Sequence, residues 1–184
     1  TLRTLSLSVK TLPNYSDLLN GRVTINDIRD LSIDDILGRD VVTPDPYLMM
    51  SDIKDKVVLV TGAGGSIGSE LCRQIIKQAP KKLVLFEQNE FALYTILRDL
   101  ENSNNNIENT YVVPALGSII NKERMDQILK DHAPNTIYHA AAYKHVPLVE
   151  ENPLEGINNN IFGTLISANA AITFNVEKFV LIST

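Results

Sequence analysis

Three short stretches of this 184-residue chain hold residue types that can do chemistry. The first is TGAGGSIG, Thr61 to Gly68, directly after the apolar run Val57 to Val60. Gly62, Gly65 and Gly68 recur there every third residue. A strand that turns through glycines into a helix offers an anion unpaired backbone amides and the positive end of the helix dipole. Glycine is needed where such a turn takes positive φ, where backbone meets phosphate, and where helix packs on strand. The spacing is not G-x-G-x-x-G, because residue 67 is Ile, but it serves the same geometry in a strand–turn–helix context. A tight turn that binds nothing is the competing reading. Valine at Gly65 is expected to abolish binding, by disfavouring positive φ and blocking phosphate.

The second stretch ends in Glu87, 19 residues after Gly68. An acidic side chain at that place accepts hydrogen bonds from an adenosine ribose and repels a 2′-phosphate. Gln88 and Asn89 follow, with no arginine to hold such a phosphate, which favours NAD over NADP. A solvated glutamate opening a helix is the alternative. The third stretch is HAAAYKHVP, His139 to Pro147. Its alanines let backbone pass close to a cofactor, and Lys144 and His145 can reach an anionic group on a substrate. A solvated surface lysine competes for Lys144, and His139 reads as a satisfied histidine at a strand end. Asn158 to Asn160 follow near the same cleft and are expected to hydrogen-bond backbone there, or to form a solvated turn.

These stretches need a scaffold. The periodicity predicts strands at 56–61, 83–87, 110–114, 136–139 and 178–183, and helices at 66–79, 90–101, 121–132 and 153–172. VVLV, LVLF and FVLI are continuous apolar runs, as in strands buried on both faces. The fold class is therefore α/β, a Rossmann-like doubly wound parallel sheet with right-handed crossovers. Its ligand crevice lies at the carboxyl ends of the first and fourth strands, where strand order reverses. Helix 66–79 places Ile67, Leu71, Ile75, Ile76 and Ala79 inward and Pro80 ends it. The last helix is expected to bury Leu154, Ile157, Ile161, Leu165 and Ala168. Asn102 to Asn106 reads as a polar surface loop.

Residues 1–50 lack this pattern and form an N-terminal extension, leaving 51–184 as the NAD-binding domain. Thr1 to Val9 suggests a strand, Leu31 to Leu37 a short helix, and Asp40 to Tyr47 a linker. Composition is that of a soluble globular protein, 44% hydrophobic and 21% charged. The net charge of −5 argues against nucleic acid. Cys72 is the one cysteine, reads as structural, and suits a reducing, cytoplasmic setting. No run is long enough to span a bilayer, and no histidine, cysteine or carboxylate pair has metal spacing. The chain starts at Thr1 and stops in FVLIST, so it reads as a piece of a longer polypeptide.

TGAGGSIG, HAAAYKHVP, NNIFGT and LIST together resemble an extended short-chain dehydrogenase/reductase. More narrowly, with LSIDDILGRD upstream, residues from about 25 to 184 resemble the polysaccharide-biosynthesis nucleotide-sugar 4,6-dehydratases, such as those acting on UDP-N-acetylglucosamine. The resemblance implies that Gly62, Gly65 and Gly68 hold the NAD pyrophosphate, with amides of Ser66 and Ile67. It implies Glu87 at the ribose, Leu116, Gly117 and Ser118 along the adenine, and Ala140, Ala141 and Ala142 lining the cofactor. Many relatives have aspartate where this chain has Ser118. Lys144, His145 and Asn160 would face the UDP-sugar. Thr184 matches the threonine opening the family's catalytic Thr-Asp-Lys run, whose other members would follow it, as would any Tyr-x-x-x-Lys pair.

The implied reaction oxidises sugar carbon 4, removes water across carbons 5 and 6, and reduces carbon 6. This stretch by itself is then expected to be inert. The resemblance also implies a homo-oligomer, and a parent enzyme anchored at the inner membrane with its catalytic domain facing the cytoplasm. A UDP-sugar 4-epimerase or 4-dehydrogenase on the same fold is the alternative enzyme. A non-catalytic NAD-binding module is the alternative of another class.

Overall fold

The computed structural model describes residues 10–11, 29–30, 45–102 and 110–183. The chain divides into two units, 1–44 and 45–184. In the first, strands β1 (Lys10–Thr11) and β2 (Arg29–Asp30) pair antiparallel, with Lys10 opposite Asp30. The strand expected at Thr1 to Val9, the helix at Leu31 to Leu37 and most of the Asn102 to Asn106 loop lie outside the described residues.

The second unit begins with helix α1 (Pro46–Ile53), where a linker was expected to run as far as Tyr47. Proline at a first helical position loses no intrahelical bond, and Ile53 is 2% exposed, so burial anchors the helix. Alternation follows: β3 (Val57–Thr61), α2 (Ser66–Ile76), β4 (Lys82–Glu87), α3 (Glu90–Asn102), β5 (Tyr111–Leu116) and α4 (Lys122–His132). Then come β6 (Thr136–His139), α5 (Val146–Glu151), α6 (Pro153–Ile157), a π-helical turn (Asn158–Gly163), α7 (Thr164–Thr173) and β7 (Lys178–Leu181). Helix α2 stops earlier than the pattern predicts: Ala79 turns left-handed at φ 52° and lies beyond it.

Five strands form one parallel sheet in the order β5-β4-β3-β6-β7. This is the expected Rossmann-like fold. Order reverses between β3 and β6, with Thr61 opposite His139. Alternate residues of β3 and β4 feed two cores. Val58, Val60, Leu83 and Leu85 pack with Cys72, Ile75, Ile76, Leu93 and Ile96 of α2 and α3. Leu59, Val84 and Phe86 pack with Met125, Leu129, Ala170 and Ala171 of α4 and α7. Pro114 sits in β5, an edge strand, where a missing N–H is tolerated.

The last helical region differs most from expectation. It is α6, a π turn and α7 rather than one helix, and its apolar stripe faces outward: Leu154, Ile157, Ile161 and Leu165 are all exposed. The inward side is instead Gly156, Asn159, Gly163, Ser167, Ala170 and Ala171. Close approach explains the reversal. A Cβ on Gly163 would lie 2.5 Å from Ile119 Cδ1, so only small residues let this helix settle there.

Candidate functional site

The glycine turn opens where β3 ends. Gly62 has φ 64°, the left-handed region that glycine enters freely. A Cβ there would meet Ala141 Cα at 2.8 Å and Ala140 O at 2.9 Å, so the turn lies hard against the end of β6. Gly68 packs helix on turn, since a Cβ would come within 2.0 Å of Gly62 O. Gly65 was expected at positive φ and is not. It is extended (φ −70°, ψ 167°) as the N-cap of α2, with only Gly62 O near a Cβ, at 3.2 Å. No side chain caps α2, so its first amides, from Ser66 and Ile67 onward, are available to an anion.

Glu87 closes the far side. It is 8% exposed, and its Oε2 accepts from the Gly64 amide at 3.0 Å while Oε1 accepts from Asn89 N at 2.9 Å. Asn89 in turn caps α3 through Ala92 N, 2.9 Å from its Oδ1. Gly117 donates its amide to Glu87 O at 2.9 Å and packs on Phe86, whose ring a Cβ would meet at 2.7 Å.

The third wall follows β6. His139 is buried with both ring nitrogens bonded, Nδ1 to Thr61 Oγ1 (2.9 Å) and Nε2 to Thr164 Oγ1 (3.0 Å). Burial pulls its pKa down to about 4, so the ring is neutral at ordinary pH. It is a satisfied structural histidine, as expected. Beyond it, Asn160 clamps Tyr143 with both amide atoms: Tyr143 N donates to Oδ1 at 2.8 Å, and Nδ2 donates to Tyr143 O at 2.9 Å. Asn159 Nδ2 donates to Ala141 O at 3.3 Å. The wider π turn brings two consecutive asparagines onto one backbone stretch.

These walls enclose a 510 Å³ cavity lined by glycines 62, 64, 65 and 117, Glu87 and Ala140 to Ala142, among others. That volume is within the range of small-molecule sites. Of the expected cofactor residues, Gly68 lies beneath the turn, and Ser66, Ile67, Leu116 and Ser118 do not line the cavity; Ser118 O instead accepts from Asn121 N at 3.0 Å. A second cavity of 740 Å³ adjoins the first, lined by Ser66, Lys144, His145, Leu148, Glu155 and others, and Tyr143 borders both. Lys144 Nζ bonds Ser66 Oγ, tying this loop to the head of α2. Thr184 lies outside the described residues.

Ile119 and Ala92 line the site although their residue types gave no signal, while Asn159 bonds backbone at the cleft as expected. Two other lining residues, Gln88 and Tyr143, meet with Nε2 donating to the phenol oxygen at 3.4 Å, a pairing that depends on tertiary placement alone. Cys72 is fully buried and its thiol is pushed up to about 12 by desolvation, which makes it inert. No metal-holding group of His, Cys, Asp or Glu occurs among the described residues, and no helix there is long and apolar enough to cross a membrane.

The family model described as polysaccharide biosynthesis protein matches residues 58–184. The chain is 44% identical to the capsular polysaccharide biosynthesis protein CapD of Staphylococcus aureus, over 94% of this chain and 28% of the relative. It is 42% identical to the probable polysaccharide biosynthesis protein EpsC of Bacillus subtilis, over 96% of this chain and 29% of EpsC. An inverting UDP-N-acetylglucosamine 4,6-dehydratase of Campylobacter jejuni is 31% identical, over 70% of this chain and 36% of that enzyme. The chain thus spans less than a third of the length of CapD or EpsC.

Among solved structures, Pen from Bacillus thuringiensis is 31% identical with a TM-score of 0.62, over 70% of this chain and 37% of Pen. UDP-glucose 4-epimerase from Stenotrophomonas maltophila, solved with NAD and formylated UDP-arabinopyranose, is 27% identical with a TM-score of 0.59, over 70% of this chain and 37% of that one. The chain belongs to the polysaccharide biosynthesis protein family, within the extended short-chain dehydrogenases/reductases.

Proposed function

We propose that this chain is the cofactor-binding part of an NAD-dependent nucleotide-sugar 4,6-dehydratase that acts on UDP-N-acetylglucosamine in the synthesis of a surface polysaccharide. The observation that carries this reading is Glu87, buried in a glycine-walled cavity with its carboxylate on the Gly64 amide. A carboxylate there suits ribose hydroxyls and repels a 2′-phosphate.

The residues present fit NAD. Gly62 and Gly68 stand where any Cβ would collide, and the first turn of α2 is uncapped. In this reading Gly65 and the amides of Ser66 and Ile67 take the pyrophosphate, and Glu87 takes the ribose. Gly117 and Ile119 flank the adenine, and Ala140 to Ala142 line the nicotinamide side. NAD, when bound, supplies reversible hydride acceptance.

Lys144 and His145, in the adjoining cavity, hold the anionic diphosphate of the sugar nucleotide. Asn160 contributes indirectly by fixing Tyr143. Thr184 supplies the catalytic hydroxyl that the family resemblance implies. The similarity to the Campylobacter dehydratase supports this substrate. A second reading, UDP-sugar 4-epimerase, is favoured by the likeness to the Stenotrophomonas epimerase. Mass spectrometry of the product from the full-length protein and UDP-N-acetylglucosamine separates the two. Loss of one water supports the dehydratase, and an epimer of unchanged mass overturns it.

A further inference from the structure

We infer that His139 is a positioning residue that ties the two walls of the cofactor cavity together, an inference that rests on the NAD reading above. Its ring is 2% exposed at the carboxyl end of β6 and lines neither cavity. It therefore acts on a ligand through what it holds.

One nitrogen holds the first wall. Nδ1 lies 2.9 Å from the hydroxyl of Thr61, the residue immediately before the left-handed Gly62. The Thr61 carbonyl accepts the Ala140 amide at 3.2 Å, so this contact locks the turn to the start of the alanine run. The other nitrogen holds the second wall. Nε2 lies 3.0 Å from the hydroxyl of Thr164, which directly follows the π turn. That turn carries Asn159 and Asn160, whose amides hold Ala141 and Tyr143. Phe179 of β7 stacks on the ring with centroids 5.6 Å apart and planes at 28°, which fixes its orientation.

A neutral imidazole has one donor and one acceptor, and a threonine hydroxyl can serve as either. One tautomer therefore satisfies both bonds. Either bond, if lost, leaves a buried polar atom unpaired or frees a wall to shift.

The test uses the full chain and three variants, His139→Phe, Thr164→Val and the double variant. Hydrogen exchange in the ligand-free protein reports the amides of residues 141–143, and calorimetry reports NAD affinity. Thr164→Val is expected to speed exchange at Tyr143 and weaken NAD binding about fivefold to tenfold, as loss of one buried hydrogen bond would, and His139→Phe, which loses both bonds, at least as much. The double variant is expected to add little, because the two singles remove a shared bond. His139→Gln, which keeps a donor and an acceptor, is expected to recover part of the loss.

Folded variants with unchanged exchange and unchanged NAD affinity would overturn the role, as would singles that simply add. If His139→Phe does not fold, the isosteric Thr164→Val decides. If the unaltered protein binds no NAD, the cofactor reading fails, while the exchange measurement still decides whether His139 couples the walls.

Discussion

Glu87 Oε2 accepts the amide hydrogen of Gly64 at 3.0 Å, which joins the end of β4 to the turn that follows β3. The carboxylate is thereby aimed before any ligand arrives. Its other oxygen is steadied by Asn89 N at 2.9 Å, and each oxygen keeps a lone pair for a sugar hydroxyl.

If Glu87 is the ribose acceptor proposed above, replacing it with alanine removes that acceptor and the charge that repels a 2′-phosphate. NAD affinity is expected to fall roughly tenfold to a hundredfold, the scale of a charge-assisted hydrogen bond. NADP affinity should fall less or rise. Calorimetric titration with both dinucleotides checks this, and an unchanged NAD preference would remove Glu87 from the site.

The glycines of the turn are expected to differ in their tolerance of alanine. Gly68→Ala puts a methyl 2.0 Å from Gly62 O and should destabilise most. Gly62→Ala combines φ 64° with contact on Ala141 and costs at least ~1–2 kcal/mol from backbone strain alone. Gly65→Ala meets only Gly62 O at 3.2 Å and should melt near the unaltered protein while still losing pyrophosphate affinity. Thermal melts of the three, ranked, test the assignment of roles.

His139 makes stability depend on pH. Its folded pKa, about 4, is below the ordinary 6.5, so the unfolded chain binds the proton more readily. The stabilisation is complete above pH 6.5 and is lost as pH falls toward 4, to a total of about 3 kcal/mol. Melting temperatures between pH 7.5 and 4.5 should fall more steeply for the unaltered protein than for a folded His139→Gln variant. Parallel curves would show that the ring is not held neutral.

Cys72 should resist thiol reagents in the native state, because its thiol is fully buried and raised to about 12. Labelling with a maleimide is expected to track global unfolding in denaturant. Fast labelling without denaturant would mean that α2 opens locally.

Much of this was legible in the residues themselves. Val58 to Val60 and Leu83 to Phe86 read as doubly buried strands because both sheet faces are covered, and they are fully buried. The run Phe179 to Ile182 was read the same way and is not: β7 is an edge strand, and Leu181 is exposed. Glu87 and the alanine run were locatable because a Rossmann-like sheet puts strand ends at one edge. The α6–α7 region was misread for a physical reason. Hydrophobicity marked Leu154, Ile157, Ile161 and Leu165, yet the buried side is set by how near the helix must come to Ile119, which selects glycine, serine and alanine.

The sequence by itself determined the order of the five sheet strands and of the helices between the first four, the glycine turn and the acidic residue opposite it, because these follow from local periodicity and the special backbone freedom of glycine. The tertiary structure alone decided which glycine takes positive φ, and that Asn160 grips Tyr143 rather than solvent. It also decided that His139 spans Thr61 and Thr164, 78 and 25 residues away along the chain. Those outcomes depend on contacts between distant segments, and no local pattern encodes the distance at which two segments meet.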